Sequence, residues 1–339
     1  MRRILAALLF SISIIALYQF ININLFAIDF NKRVSNSLMR SLRHDPTFDP
    51  EVVLFNSGKL TIEEIRSKID TLITFHPKTI GINLCHLDQN NTVLFKDLIY
   101  SREVLICSCD PNSKGRSARM VDNPNTTCRF RSDSSNYFEI KLSDSLNRLT
   151  KRNNEWERVN YRDPFKSYFH FELEKIEAYS HDNIEGKIVL IGYLGDYVTG
   201  EILDYKNCRI TPLNDYYGED YISPDMYDTQ ISANIISTIN EDIFINEINP
   251  IVRVGIILAF SILNVVLLTF IRTKWLMLNL FLDLLVFIFL IGFGSFLIVY
   301  LFSLGYYVEL NELTLILIIT TIFTVGYNVK ERRVSVDKK

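Results

Sequence analysis

The sequence predicts an α/β domain with a mainly parallel sheet, plus four transmembrane α-helices, one N-terminal and three C-terminal. Three observations carry that expectation. Residues 186–192 read GKIVLIG: four apolar residues, three of them β-branched, held between glycines. Such a run fits a strand buried on both faces, the central position of a parallel sheet. Residues 52–108 alternate strand-like and helix-like patterns with short connections, as right-handed crossovers require. Apolar residues collect in 4–28 and 251–327, leaving the stretch 30–250 with the character of a soluble domain.

The chain has 339 residues, 48% hydrophobic and 22% charged, and a net charge of −3. That balance, with no basic face interleaved by aromatics, argues against nucleic acid as a partner. No low-complexity tract, internal repeat or long Pro/Gly linker divides it.

Arg2 and Arg3 precede an apolar run over residues 4–20, broken only by Ser11, Ser13 and Gln19. At 1.5 Å per residue this makes roughly 25 Å of helix, enough to span when the apolar stretch continues to Phe26. A retained anchor is expected rather than a cleaved signal peptide. Leu25-Phe26-Ala27 puts a bulky residue where cleavage wants a small one. Beyond Pro250 the chain is apolar to Ile271, breaks at 272–275, and is apolar again over 276–302 and 310–327.

Positive charge orients these spans. With the amino terminus cytoplasmic, Arg272 and Lys274 fall inside, and the 303–309 turn, which has no Lys or Arg, falls outside. The tail from Lys330, with five basic residues against two acidic, falls inside; Arg253 alone opposes the pattern. The expected organisation is an anchor (1–28), an extracytoplasmic domain (29–248), three transmembrane helices (249–327) and a short basic cytoplasmic tail (328–339). Asp283, two turns past Trp275, is expected to reach the cytoplasmic interface, with an interhelical contact to Asn264 as the alternative. Gly292, Gly294 and Ser295 offer a small-residue surface for helix packing.

Within the domain, residues 30–43 place Val34, Leu38 and Leu42 on one helical face, and Pro46 and Pro50 end that helix. Residues 52–55 predict a short buried strand. Thr61 before Glu63 and Glu64 predicts a capped helix start, with Ile65, Ile69, Leu72 and Ile73 as its apolar stripe. Strands follow at 79–84 (TIGINL) and 103–108 (EVLICS), with a helix between them at 90–100. Residues 110–155, rich in Ser, Asn, Arg and Asp, predict an insertion or an irregular loop holding a short strand or hairpin. Further elements are a strand at 156–161, a helix at 169–178, the central strand, a punctuated loop over 196–224, and a helix at 224–239. Ile231, Ile235, Ile236 and Ile239 face inward from that last helix.

The order of these features resembles the CHASE-type extracytoplasmic sensor domains of the second type, which three membrane helices follow. The residues that carry the resemblance are Asn160-Tyr161-Arg162-Asp163-Pro164, the GKIVLIG strand, Thr211-Pro212-Leu213 and Ala233-Asn234. It covers residues 30–325. The chain departs from the family at Asn56 and Asn83, where acidic residues often end the first two strands, and at Ser232, often His. The loop from Gly192 to Pro212 is also longer than usual. The resemblance implies a sensory domain in the bacterial inner (cytoplasmic) membrane, periplasmic or extracellular, with both termini cytoplasmic. Family members often carry an output domain after the helices; none is expected in the residues that follow the last span here.

Chemistry-bearing motifs are sparse. Gly192-x-x-Gly195 lacks the Gly-Lys-Ser/Thr ending of a phosphate loop, no G-x-S-x-G elbow occurs, and no His has metal-ligand spacing. No catalytic residue, metal or cofactor is expected. Five Cys fall in the domain, at 85, 107, 109, 128 and 208. Cys85 is expected to pair with Cys107 or Cys109 if their strands are adjacent, or else these three are buried thiols. Cys128 and Cys208 are a second expected disulfide, tying two loops together. The ligand or contact face is expected at Asn56, Asn83, Gly192, Gly195, Asp204 and Thr211.

The expected function is a non-enzymatic sensory or receptor subunit that signals to a separately encoded effector. The alternative is a scaffold that senses nothing and anchors an effector such as a caspase-like protease or a kinase. Expected partners are the lipid bilayer, that cytoplasmic or membrane effector, and a second copy in a homodimer.

Overall fold

In the computed structural model, residues 47–85, 104–108, 116–123, 126–143, 146–152, 154–199, 202, 207–213, 223–270, 276–307, 317–322 and 324–325 are described. The elements, in chain order, are β1 (Val52–Asn56), α1 (Ile62–Ile73), β2 (Thr79–Asn83), β3 (Val104–Ile106), β4 (Arg119–Asn123), β5 (Thr126–Arg131), α2 (Phe138–Ser143) and α3 (Leu146–Arg152). Then come β6 (Trp156–Arg158), β7 (Phe169–Glu172), β8 (Ile188–Gly192), β9 (Cys208–Arg209), β10 (Met226–Tyr227), α4 (Asp228–Asn240), β11 (Asn246–Glu247), α5 (Pro250–Phe270), α6 (Leu276–Ser303) and β12 (Tyr306–Tyr307). The chain divides into two units, His44–Ile245 and a second made of Met1–Arg43 with Asn246–Lys339.

In the first unit the all-apolar run ends up where its composition demands. Sheet order is β3-β2-β8-β1-β7, every pairing is parallel, and β8 lies in the middle with all five residues buried. One face packs Val53, Phe55, Ile80, Ile82, Val189 and Ile191 against Ile65, Ile69 and Leu72 of α1. Thr61 and Glu64 close a reciprocal capping box at the start of α1, as its sequence predicts. The other face packs Val52, Leu54, Ile188 and Leu190 against Phe138 and Leu142 of α2 and Ala233 and Ile236 of α4. Gly81 belongs to that face because a Cβ there would stand 2.5 Å from Leu142 Cδ1, so α2 seats directly on the backbone of β2.

The 110–155 insertion forms a β4–β5 hairpin and two short helices, α2 and α3. Residues 156–161 do supply a strand, β6, but it pairs antiparallel with β5 in a second sheet, β4-β5-β6. Helix α4 lies between the two sheets: Ala233 and Ile236 meet the parallel one, and Ile231, Ile235 and Ile239 meet Phe130, Ile140 and Val159. It starts at Asp228, later than its predicted start at residue 224, because Met226 and Tyr227 pair with Arg209 and Cys208 first.

The helix predicted over 169–178 is corrected to strand β7 followed by a 3-10 helix, Leu173–Ala178. Phe169, Leu173 and Ile176 satisfy helical spacing, but Phe169 and Phe171 also alternate. Pairing with β1 stacks their rings 6.1 Å apart and sets Phe171 4.4 Å from Tyr179. Cross-strand burial of two aromatics outweighs a local preference that strand and helix share. The helices predicted at 30–43 and 90–100 lie outside the described residues.

In the second unit two helices, within α5 and α6, are long and apolar enough to cross a membrane. They pack through Ile257, Phe260, Leu268, Val286 and Leu290, with the Phe260 and Phe293 rings stacked at 5.6 Å. Residues 317–322 and 324–325, inside the third C-terminal apolar run, are helical too. The N-terminal apolar run lies outside the described residues. Asn264 is fully buried and donates to Thr320 and Thr321, each at 2.9 Å. The alternative contact with Asp283 is therefore corrected: the amide finds hydroxyls on the last helix instead. β11 pairs in parallel with β12, tying the start of α5 to the turn after α6.

Candidate functional site

Register alone brings the site together. Asn83 of β2, Gly192 of β8, Asn56 of β1 and Glu172 of β7 are successive Cα partners across four strands, at their carboxyl ends. Side chains alternate along a strand, so this row shares the face of Leu54, Gly81 and Leu190, the face α4 covers. Ligands of open α/β sheets bind outside this edge. A Cβ on Gly192 would lie 2.0 Å from Thr229 Oγ1 and 3.0 Å from the Asn83 carbonyl. Glycine is therefore required for the first turn of α4 to rest on the end of β8.

The two asparagines beside Gly192 do different things. Asn56 uses its whole amide: Oδ1 accepts from Gly58 N at 3.0 Å and Leu194 N at 2.9 Å, and Nδ2 donates to Gly195 O and Glu172 Oε2, both at 3.0 Å. It is a clasp that shapes the 192–195 turn. An acid could not take this position without losing both donated bonds and facing the Glu172 carboxylate, which also accepts from Val198 N at 2.6 Å. Gly195 holds φ +100, and a Cβ there would stand 2.9 Å from the Tyr227 hydroxyl. Asn83 is 5% exposed, and among the described residues its Oδ1 accepts a long bond from Cys85 N at 3.5 Å and its Nδ2 has no acceptor.

Thr211 is not brought into this row. Its N–H and hydroxyl both bond the Asp225 carboxylate at 2.6 Å, and its hydroxyl accepts from Leu213 N. Asp204 lies outside the described residues. Cys208 is a buried thiol, so the expected Cys128–Cys208 bridge is corrected: Cys208 pairs backbone with Tyr227 and packs with the core instead. Cys85 is disulfide-bonded, to a partner outside the described side chains, whereas Cys107, one of the two partners expected for it, is a buried thiol.

The resemblance-bearing residues meet along α4. Arg162, fully buried, donates its N–H to Asn234 Oδ1 at 2.7 Å, places Nη2 2.6 Å from Glu241 Oε2, and donates Nη1 to the Thr47 carbonyl. Ser232 donates to the buried Glu139 carboxylate at 2.8 Å, which also accepts from Ala118 N at 2.7 Å. Ser237 donates to Asp49 and accepts from Tyr168 at 3.3 Å, and burial pushes the Tyr168 phenol far up. Among the described residues Arg162 Nε is left without a hydrogen-bond acceptor. The serine, tyrosine and carboxylate groups around α4 are matched to one another, as a helix buried all round requires. Glu172, Thr229, Glu139 and Asp49 carry no sequence signal of their own; their roles arise only when distant segments meet.

Among the described residues no group of three or more His, Cys, Asp or Glu side chains is placed to hold a metal ion. Comparison with family models, with curated proteins and with solved structures finds no match to this chain.

Proposed function

We propose that this chain is a membrane-anchored sensory subunit whose α/β domain takes up a small ligand at the carboxyl edge of the parallel sheet and signals to a separately encoded effector. The observation that carries this is the buried Asn83 amide, whose Nδ2 has no acceptor on the face and edge where α4 begins. A buried donor left unmet costs about 1–3 kcal/mol, so a ligand offering an oxygen there gains the missing bond. α4 is the last helix before the chain enters α5, so a ligand bearing on its first turn acts on the segment nearest in sequence to the membrane. Two membrane-competent helices support the anchor, and the disulfide at Cys85 fits an oxidising compartment outside the cytoplasm. On this proposal the chain spans a bacterial inner membrane four times, with both termini cytoplasmic and no catalysis of its own.

The test is a thermal-shift screen of the full chain in detergent against amino acids, dicarboxylates and sugars. Asn83→Leu keeps the volume and removes the donor, so a true ligand loses about tenfold or more in affinity for it, ~1.4 kcal/mol. A ligand that binds both proteins equally removes Asn83 from the site. If nothing in the screen stabilises the wild-type chain, the sensory proposal gives way to the scaffold.

A further inference from the structure

We propose that His170 and Gln230 form a proton-operated catch on the first turn of α4. Gln230 joins three elements through one amide. Its Oε1 accepts from the Tyr227 backbone N–H at 3.0 Å, and its Nε2 donates to the Pro164 carbonyl at 2.8 Å. Those partners settle which end of the amide is which, because an N–H needs an oxygen and a carbonyl needs a donor. The second Nε2 hydrogen then faces His170 Nε2, 3.5 Å away. That ring nitrogen is the unprotonated one. The ring proton sits on Nδ1, 3.0 Å from the Tyr168 carbonyl, which can only accept. Neighbours that cannot change roles thus dictate the tautomer.

A second proton would turn Nε2 into a donor aimed at an NH2 group. An oxygen within reach that can receive it is the Pro164 carbonyl, the one Gln230 already holds. Protonated His170 therefore competes with Gln230 for Pro164, and an amide that turns away also gives up the Tyr227 N–H at the head of α4. Burial lowers the His170 pKa; the Tyr168 and Pro164 carbonyls and the Asp163 carboxylate pull the other way without overcoming it. Asp163 is itself paired with Lys166, at 3.9 Å. Among the described residues the elements packed against the ring present uncharged groups: Leu54 of β1 lies opposite His170 in register, the Phe165 ring is 6.0 Å away, and α4 presents Gln230. On β7 itself the Glu172 carboxylate shares the face two residues on, held by Asn56 Nδ2 and the Val198 N–H. The neutral ring is the form that fits. Its contribution is complete above the ordinary value of 6.5 and is lost as pH falls from there through the depressed folded value.

The catch stands apart from the ligand proposal, since it needs only that α4 respond to a proton. The test uses the full chain in nanodiscs, with nitrogen-15 histidine NMR and amide hydrogen exchange at pH 8 and 5.5. His170→Asn picks out the resonance among five histidines. Expected are the Nδ1–H tautomer at pH 8, a titration midpoint below 6.5, and first-turn amides of α4 that exchange several-fold faster in acid after correction for intrinsic rates. That acid step disappears in His170→Asn. Gln230→Glu supplies an acceptor to the protonated ring, so its midpoint moves up and the acid step shrinks, an outcome that loss of packing would not produce. An Nε2–H tautomer, a midpoint at or above 6.5, or an undiminished step in either variant overturns the catch.

Discussion

Changing Asn56 to aspartate removes two hydrogen atoms' worth of chemistry from the centre of the site. The variant oxygens can still accept from Gly58 and Leu194, so the turn keeps its two inward bonds. What is lost is donation. Gly195 O, 3.0 Å away, is left buried without a donor, which costs about 1–3 kcal/mol. Glu172 Oε2, also 3.0 Å away, meets a second carboxylate in place of an NH2. At an effective dielectric constant of about 20 that repulsion is ~5 kcal/mol, and the partial exposure of Glu172 discounts it to roughly 1–3 kcal/mol. The expected total is about 2–6 kcal/mol, out of about 5–15 kcal/mol for a typical domain. Repulsion favours one shared proton, so the deficit against wild type is fullest near pH 8 and shrinks as pH falls toward ~4, where free carboxyl groups titrate. Chemical denaturation of the full chain in detergent, wild type against Asn56→Asp at both pH values, measures it. A variant as stable as wild type at pH 8, or a deficit that does not change with pH, would refute the amide orientation and the pairing with Glu172.

Two further outcomes follow from the same geometry. Gly192→Ala sets a Cβ 2.0 Å from Thr229 Oγ1 and should destabilise by about 2–4 kcal/mol, part of which Thr229→Ala restores. Strictly additive effects in a denaturation cycle would mean that α4 does not rest on β8. Arg162→Met fills the buried volume but leaves the Thr47 carbonyl without its donor. Glu241, with 35% of its side chain exposed, can turn to water, so the loss should be about 1–3 kcal/mol rather than the 3–5 kcal/mol of a fully buried pair. A loss under about 0.5 kcal/mol in urea would show that Arg162 only fills space.

The strand at 188–192 was legible because a run with no polar side chain can be buried only on both faces, and only a central strand offers that. The places of β1 and β2 were legible for a similar reason, whereas Asn56 and Asn83 were singled out only through the resemblance to the CHASE-type domains, at whose strand ends they stand. Two membrane-competent helices were legible from length and apolarity alone. What the sequence could not tell is that the two asparagines differ. Asn56 is spent on Gly195 and on Glu172, 116 residues away, whereas Asn83 keeps a donor, and that depends on which segments fold beside each. The pairing of Phe169 and Phe171 with β1, the sheet that β6 joins, and the thiol at Cys208 were likewise decided in three dimensions. Local pattern records which faces must leave water; only the packed chain determines which polar atoms still lack a partner once they have.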